Sequence, residues 1–185
     1  MKRAVPALCV LLAGCAMQGV DPGSEVSVGN GVHVMPEPGF AQVHLAAIRY
    51  WTRNGTGLDE LDFYTGIKNG EPLIVVPGKS KKDLPQFLSR MTPNDVEDLA
   101  VAALAAKGMQ TVRATALRPC PFGSGMGFCF DLILANDEGL EMRGKAKARL
   151  QAGMLDMLVF TAPADFYFGD VAPAVDRIFA SVGTD

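Results

Sequence analysis

The chain has 185 residues, of which 49% are hydrophobic, and it carries 17 basic and 20 acidic residues for a net charge of −3. This length suits one domain with a proper hydrophobic core. The acidic balance argues against a nucleic-acid partner, because phosphate recognition needs a basic stripe and none is present in the sequence.

The first residues have the layout of a secretory leader. A short cationic start, residues 1–3, is followed by an apolar run over residues 4–13 and then by a small residue before Cys15. The run is shorter than the roughly 18–20 apolar residues that cross a bilayer. Residues 1–14 are therefore predicted to be a removable signal peptide and not a membrane span.

The end of this leader, Leu12-Ala13-Gly14-Cys15, resembles the bacterial lipobox, in which Leu and small residues precede an invariant acceptor cysteine. The resemblance implies a lipid on the sulfur of Cys15, cleavage after Gly14, and acyl chains that anchor the mature protein to a membrane. Because Ala16 stands where an Asp marks inner-membrane retention, the expected location is the periplasmic face of the outer membrane. The alternative is an ordinary secretory leader in which Cys15 is incidental.

Loss of the leader leaves 15 basic residues against 20 acidic ones, a net charge of −5, and it removes Cys9. With Cys15 as the lipid acceptor, Cys120 and Cys129 remain. Two cysteines nine positions apart in an oxidising compartment, with a glycine-rich segment between them, predict a disulfide across a hairpin. Two free, buried thiols are the alternative.

The mature chain begins with residues 15–25, which are predicted to be a flexible tether, and residues 26–185 are predicted to be a single domain. Asn30-Gly31 lies between alternating valines and predicts a hairpin. Further strands are predicted over residues 43–51, 58–67 and 73–76.

A helix follows, with Thr92 as the N-cap, Pro93 at the first helical position and Lys107-Gly108 at the end. Strands are then predicted over residues 111–117, 128–134, 140–150 and 154–161, and a second helix over 171–182. Because the gaps between these strands are short, neighbouring strands must be antiparallel. The predicted fold class is therefore α+β: an antiparallel sheet with an N-terminal hairpin and two packing helices.

A possible binding patch is centred on Trp51, the only tryptophan in the sequence. Period-two alternation puts Arg49, Trp51 and Arg53 on one strand face, and arginine stacks well on aromatic rings. The alternative is that Trp51 belongs to the core and the arginines line the solvent face.

Metal and catalytic motifs are poorly supported. The spacing of His33 and His44 relative to the two remaining cysteines matches no zinc pattern, so no metal and no cofactor are predicted. No nucleophile motif stands near either histidine. Acidic side chains cluster in the sequence at Asp59, Glu60 and Asp62, but nothing in the sequence brings them into one cleft, and an enzyme is not favoured.

The C-terminal third has a recognisable order of elements. A strand over 128–134 is followed by two long strands, the second ending in Ala162-Pro163, then by the aromatic Phe166-Tyr167-Phe168 segment and a helix that ends near Ser181. This order resembles the PsbP-like α/β/α sandwich over roughly residues 110–182. The resemblance implies a non-catalytic accessory or binding domain; it transfers no site residue, and the cysteine pair is not part of the family pattern.

The first functional expectation is therefore a lipid-anchored envelope accessory that binds another protein, presumed to be an envelope protein. The alternative is a small-ligand binder or carrier that uses a pocket on a sheet face.

Overall fold

The computed structural model describes residues 17–45 and 48–185. The predicted signal peptide, residues 1–14, and the predicted lipid acceptor Cys15 lie outside the described residues. Within the described ranges, no helix is long and apolar enough to cross a membrane.

The strands, in chain order, are β1 Gln18–Gly19, β2 Val26–Gly29, β3 Val32–Val34, β4 Ala41–Leu45, β5 Ile48–Thr52, β6 Glu60–Ile67, β7 Gln110–Phe122, β8 Gly125–Ala135, β9 Glu141–Gln151, β10 Met154–Pro163 and β11 Gly183–Thr184. Eight of them form one sheet in the order β1-β4-β5-β6-β10-β9-β8-β7, with antiparallel neighbours throughout. The other three form a small sheet, β11-β3-β2. The predicted α+β class and the C-terminal meander of four strands are confirmed.

The hairpin predicted from Asn30-Gly31 is also confirmed. Both residues have positive φ angles, 51° and 67°, which the tight turn between two short strands requires and which Asn and Gly adopt at low cost. This turn joins β2 to β3.

The two helices are α1, Pro93–Lys107, and α2, Tyr167–Ala180. The α1 helix begins with a full capping box, in which the Thr92 side chain accepts from the Asp95 amide and the Asp95 side chain accepts from the Thr92 amide. It ends at Gly108, whose φ of 112° closes the helix. The α2 helix begins four residues earlier than predicted, and no side chain caps its first turn.

The helices lie on opposite faces of the large sheet and bury two apolar layers. The layer under α1 contains Phe130, Leu132 and Met157. The layer under α2 and the small sheet contains Trp51, Phe160 and others. Along β10, alternate residues enter alternate layers, so this central strand is buried on both faces.

Two predicted strands need correction. Residues 43–51 do not form one strand; β4 and β5 are separate antiparallel neighbours, with Leu45 opposite Ile48. The apolar run 73–76 is not a strand, although Leu73 and Ile74 are buried; an isolated bridge between Pro72 and Gln86 lies beside it. The run is apolar because Leu73 and Ile74 pack into the core layer under α1, and not because it pairs in a sheet.

Part of the predicted tether is also structured. Gln18 and Gly19 pair with Gln42 and Ala41 at the edge of the large sheet. The Val20 amide donates to the carbonyl of Phe40, which continues this contact. The chain therefore meets the domain by residue 18, earlier than the boundary at residue 26 that we predicted.

A buried carboxylate joins the two sheets. Asp156 is 2% exposed, and its oxygens accept from Asn30 Nδ2 at 2.9 Å, the Gly66 amide at 2.7 Å and Arg149 Nε at 2.9 Å. Asn30 belongs to the β2–β3 turn and Gly66 to an irregular point in the pairing of β6 with β10. One side chain thus fixes the small sheet, β6 and β9 to β10.

Candidate functional site: an apolar groove at the disulfide hairpin

An open groove of about 440 Å³ lies on the α1 face of the sheet, at the end where β7 turns into β8. We call it the hairpin groove, and its lining residues are Pro93, Leu117, Arg118, Pro119, Met126, Gly127, Phe128 and Leu150. Met126 is 68% exposed although it is a large apolar side chain. An exposed apolar residue above an apolar depression is typical of a surface that contacts another molecule.

A β-bulge in β7 shapes this groove. Register with β8 shifts between Thr115 and Arg118, and Ala116 in the bulge has a positive φ of 57°. The extra residue turns Leu117 toward the α1 layer, where it packs against the core. The same shift puts Arg118 opposite Cys129 on the other face.

The predicted disulfide is confirmed: Cys120 and Cys129 are bonded, with their Cα atoms 5.8 Å apart. The two residues are not directly opposed, because Cys120 faces Gly127 and Cys129 faces Arg118 in the register. The bridge therefore crosses the ladder diagonally. It fastens β7 to β8 on the face opposite the groove and holds the groove wall in place.

The edge of β7 is unsuited to pairing with another strand. Pro119 and Pro121 lack amide donors, and the bulge interrupts the ladder. A partner would accordingly be held by side chains in the groove and not by strand addition. On the disulfide face, the Arg118 guanidinium is half exposed; it donates to the Ala116 carbonyl at 2.7 Å and lies 3.4 Å from Asp131.

A second polar feature lies at the other end of α1, and we call it the acid–lysine cluster: Glu60, Asp62, Tyr64 and Lys107. Lys107 Nζ lies 2.6 Å from Glu60 Oε2 and 3.7 Å from Asp62 Oδ2. The three β6 residues share one sheet face because they alternate along the strand. Lys107 reaches them from the last turn of α1.

Burial dominates the electrostatics of this cluster. It raises the pKa of Asp62 to about 6, against the attraction of Lys107 and with a further contribution from Glu60. Burial alone would lower the pKa of Lys107, but the carboxylates of Asp62 and Glu60 raise it above its usual value. Burial therefore makes the ionised form of Asp62 unfavourable in the folded protein, whereas Lys107 stays charged.

Trp51 cannot serve as the centre of a binding patch, and that prediction is wrong. Its side chain is 1% exposed and contacts Phe40 and Phe63, with ring centroids 6.4 and 4.8 Å away. The alternative, a core tryptophan, is correct. Arg53 is exposed, whereas the side chain of Arg49 lies outside the described part of the structure.

The remaining candidates are separate from one another. His33 contacts Glu25 on the small sheet, and His44 contacts Gln42 on β4. Asp59 closes a loop by accepting from the amides of Arg53 and Asn54. Among residues 17–45 and 48–185, no group of three or more potential ligands could hold a metal ion.

Comparison with known proteins gives a structural similarity. The chain is similar to the solution structure of cyanobacterial PsbP (CyanoP) from Synechocystis sp. PCC 6803, with a TM-score of 0.57 and 13% identity, over 97% of this chain and 98% of that chain. The chain has a PsbP-like fold. No protein-family model matches the sequence, and no curated protein matches it either. At 13% identity, the similarity establishes the fold alone.

In this PsbP-like domain, the ionised form of Asp62 opposes folding. A folded-state pKa of about 6, raised from 3.8, lowers the free energy of unfolding by roughly 3 kcal/mol above pH 6. This loss of stability disappears as the pH falls toward 4. We expect Asp62→Asn to raise the free energy of unfolding by about 1–3 kcal/mol at pH 8 and to change it little at pH 4. Urea unfolding at both pH values measures this. A variant less stable than the parent at pH 8 would contradict it.

Proposed function

We propose that the protein is an outer-membrane lipoprotein, anchored through Cys15, that acts as a non-catalytic accessory by binding another envelope protein in the hairpin groove. The leader and Cys15 support the anchor. The exposure of Met126 above the apolar lining supports protein binding and is the observation on which the proposal depends. The PsbP-like fold is compatible with a role that needs no catalytic residues.

The proposed arrangement puts the groove away from the membrane. Cys15 precedes the first described residue, Met17, by two positions in the sequence, so the proposed anchor is joined to the domain at this end of the chain. The strand that follows, β1, occupies one edge of the large sheet. The groove strand β8 is six strand spacings away, which is roughly 30 Å along the sheet. A protein held by its lipid would thus present the groove to a partner and not to the bilayer.

The chemistry of the groove specifies its occupant. Leu117, Phe128 and Leu150 provide an apolar floor, and Met126 and Pro119 add apolar surface beside it. We infer a partner segment with adjacent apolar side chains that fill this depression. Such a segment would bury Met126 at the centre of the contact.

Substitution of Met126 tests the docking proposal. Because Met126 is exposed, Met126→Glu should leave the fold intact while it introduces a charge at the centre of the contact. We expect at least a tenfold loss of the partner in pull-downs of the acylated protein from its own membranes. The matched control is Met35→Glu, at an exposed methionine outside the groove. Equal retention by both variants would contradict the proposal.

Substitution of the lipid acceptor tests the anchor. Cys15→Ser should leave an uncut, unacylated precursor, because the thioether to the lipid cannot form. Mass spectrometry of the N-terminus and membrane partitioning measure this, and Cys9→Ser, within the leader, is the control that should mature normally. If the Cys15→Ser protein is still cut and still sediments with the membrane as a lipoprotein, the anchor is assigned wrongly.

Small-ligand binding is the second candidate function. It is favoured by a cavity of about 250 Å³ that adjoins the acid–lysine cluster. Both functions can coexist, since this cavity and the hairpin groove are lined by different residues.

A further inference from the structure

The cavity beside the acid–lysine cluster combines a buried charge with an apolar wall. Asp62, Tyr64 and Lys107 line one side of it. The other side is formed by the non-strand run that follows β6, and its lining residues there are Pro72, Leu73, Ile74 and Val75. A volume of about 250 Å³ is below the range of drug-sized sites, so its occupant must be small.

Asp62 has acceptor capacity that its neighbours do not use. The residue is 4% exposed, and within the described residues only the Tyr64 hydroxyl and Lys107 approach its carboxylate. Lys107 Nζ stands 3.7 Å away and is closer to Glu60. Since an ionised carboxylate offers about four acceptor positions, at least two remain open beside the cavity.

Tyr50 adds an independent unpaired polar group. It lies directly opposite Asp62 in the β5–β6 register, so the two side chains share a sheet face. Tyr50 is 2% exposed, and among the described residues no group hydrogen-bonds its hydroxyl. Buried polar atoms of this kind normally have a partner. Asp62 lines the cavity, and Tyr50, which is not a lining residue, is an unpaired polar neighbour of Asp62 on the same sheet face.

The charge of the site favours a cation. Glu60 and Asp62 contribute two negative charges, and Lys107 contributes one positive charge, so the ionised cluster carries a net charge of −1. The run Pro72–Val75, which closes the cavity, has no titratable side chain. A second ammonium group would neutralise the cluster and would supply the donors that Asp62 lacks.

We propose that this cavity binds a small organic cation, whose ammonium group donates to Asp62 and whose apolar body packs against Leu73 and Ile74. The proposal deepens the second candidate function and rests on it, and it is independent of the hairpin groove. A binding site of this kind explains why a costly buried carboxylate is kept in an otherwise apolar setting.

Titration of the purified protein with hexylammonium tests the proposal, with amide chemical shifts as the readout. Saturable shifts are expected at residues 62–64, 73–75 and 107. Hexan-1-ol and heptanoate, which have the same hexyl chain, should bind at least tenfold more weakly. Binding should also weaken from pH 7.5 to pH 5, because Asp62, which faces Glu60, Lys107, Tyr50 and Tyr64, takes up a proton as the pH falls through its pKa of about 6.

Matched variants separate the carboxylate from general charge. Asp62→Asn should lose at least tenfold in hexylammonium affinity, whereas Asp98→Asn, at an exposed acid on α1, should bind as the parent does. Equal affinity for hexylammonium and hexan-1-ol in the parent protein, or shifts confined to the hairpin groove, would overturn the proposal. Neither result would affect partner binding through Met126, so the two proposals fail separately.

Discussion

Replacement of Asp156 by alanine is expected to destabilise the protein by about 3–5 kcal/mol, the largest effect we predict for a single side chain. The substitution leaves the Arg149 guanidinium, whose side chain is 11% exposed, without its carboxylate. It also removes the acceptor of the Gly66 amide and of the Asn30 side chain. Desolvated donors without a partner carry the full cost of their lost hydration.

Urea unfolding, with the slope of the transition checked for constancy, measures this effect. The control is Asp131→Ala, which removes a surface ion pair with Arg118 whose side chains are 50% and 41% exposed. Pairs of this kind contribute at most about 1 kcal/mol, so the control should remain close to the parent. A loss of less than 1 kcal/mol on Asp156→Ala would contradict the role assigned to this carboxylate.

Asp156 and Asp62 are both buried aspartates, yet we predict opposite signs for their removal. Three donors surround Asp156 within 2.9 Å. Asp62 has its nearest cation at 3.7 Å and a pKa raised to about 6. The first carboxylate holds the fold together, and the second is maintained at a cost. This contrast separates a structural group from a candidate ligand group.

The second large effect is expected from loss of the disulfide. Replacement of both Cys120 and Cys129 by alanine should lower the free energy of unfolding by roughly 2.7 kcal/mol, from the entropy of closing a loop of this length in the unfolded chain. The unreduced, denatured parent should show no titratable thiol at these two positions. Reduction of the parent should reproduce the stability of the double variant. A double variant within 0.5 kcal/mol of the parent would contradict the argument.

The disulfide also bears on the groove. Because the bridge fastens β7 to β8 behind Pro119 and Phe128, its loss should loosen the groove wall as well as the fold. The double variant should therefore bind the partner less tightly even under conditions in which it remains folded. Pull-down at low temperature, with the Met35→Glu variant as the folded reference, measures this effect.

Local signals in the sequence predicted several elements well. The Asn30-Gly31 turn, the capping residues of α1 and the short gaps of the C-terminal meander each specify a local geometry. The cysteine spacing predicted the disulfide for the same reason, since a glycine-rich hairpin has few alternatives. What these signals have in common is that they depend on residues close together in the chain.

Errors arose where burial, and not local geometry, determined the pattern. The sequence predicts one strand over residues 43–51 because Ala46-Ala47 carries no turn signal. The Trp51 patch failed because successive residues of β5 that face opposite sides of the sheet, Tyr50, Trp51 and Thr52, are all at most 2% exposed. Alternation cannot separate core from surface in such a strand.

The candidate sites could be predicted only in part from the sequence. Alternation places Glu60 and Asp62 on one face of β6, but their partner Lys107 lies 47 residues away from Glu60 along the chain. The hairpin groove depends on the bulge at Ala116, and no glycine at that position indicates the positive φ in the sequence. Contacts between distant segments and irregular ladders are set by tertiary packing, and a single sequence does not specify them.

Site-specific photo-crosslinking at position 126 of the acylated protein, in its own membranes, tests the central claim most directly. A probe at position 138, exposed in the turn after β8 at the other end of the sheet, is the control. We predict one discrete adduct at position 126 and none at 138, with a cross-linked peptide that carries adjacent apolar residues. No adduct at 126, or equal labelling at both positions, would contradict a protein-binding role for the hairpin groove.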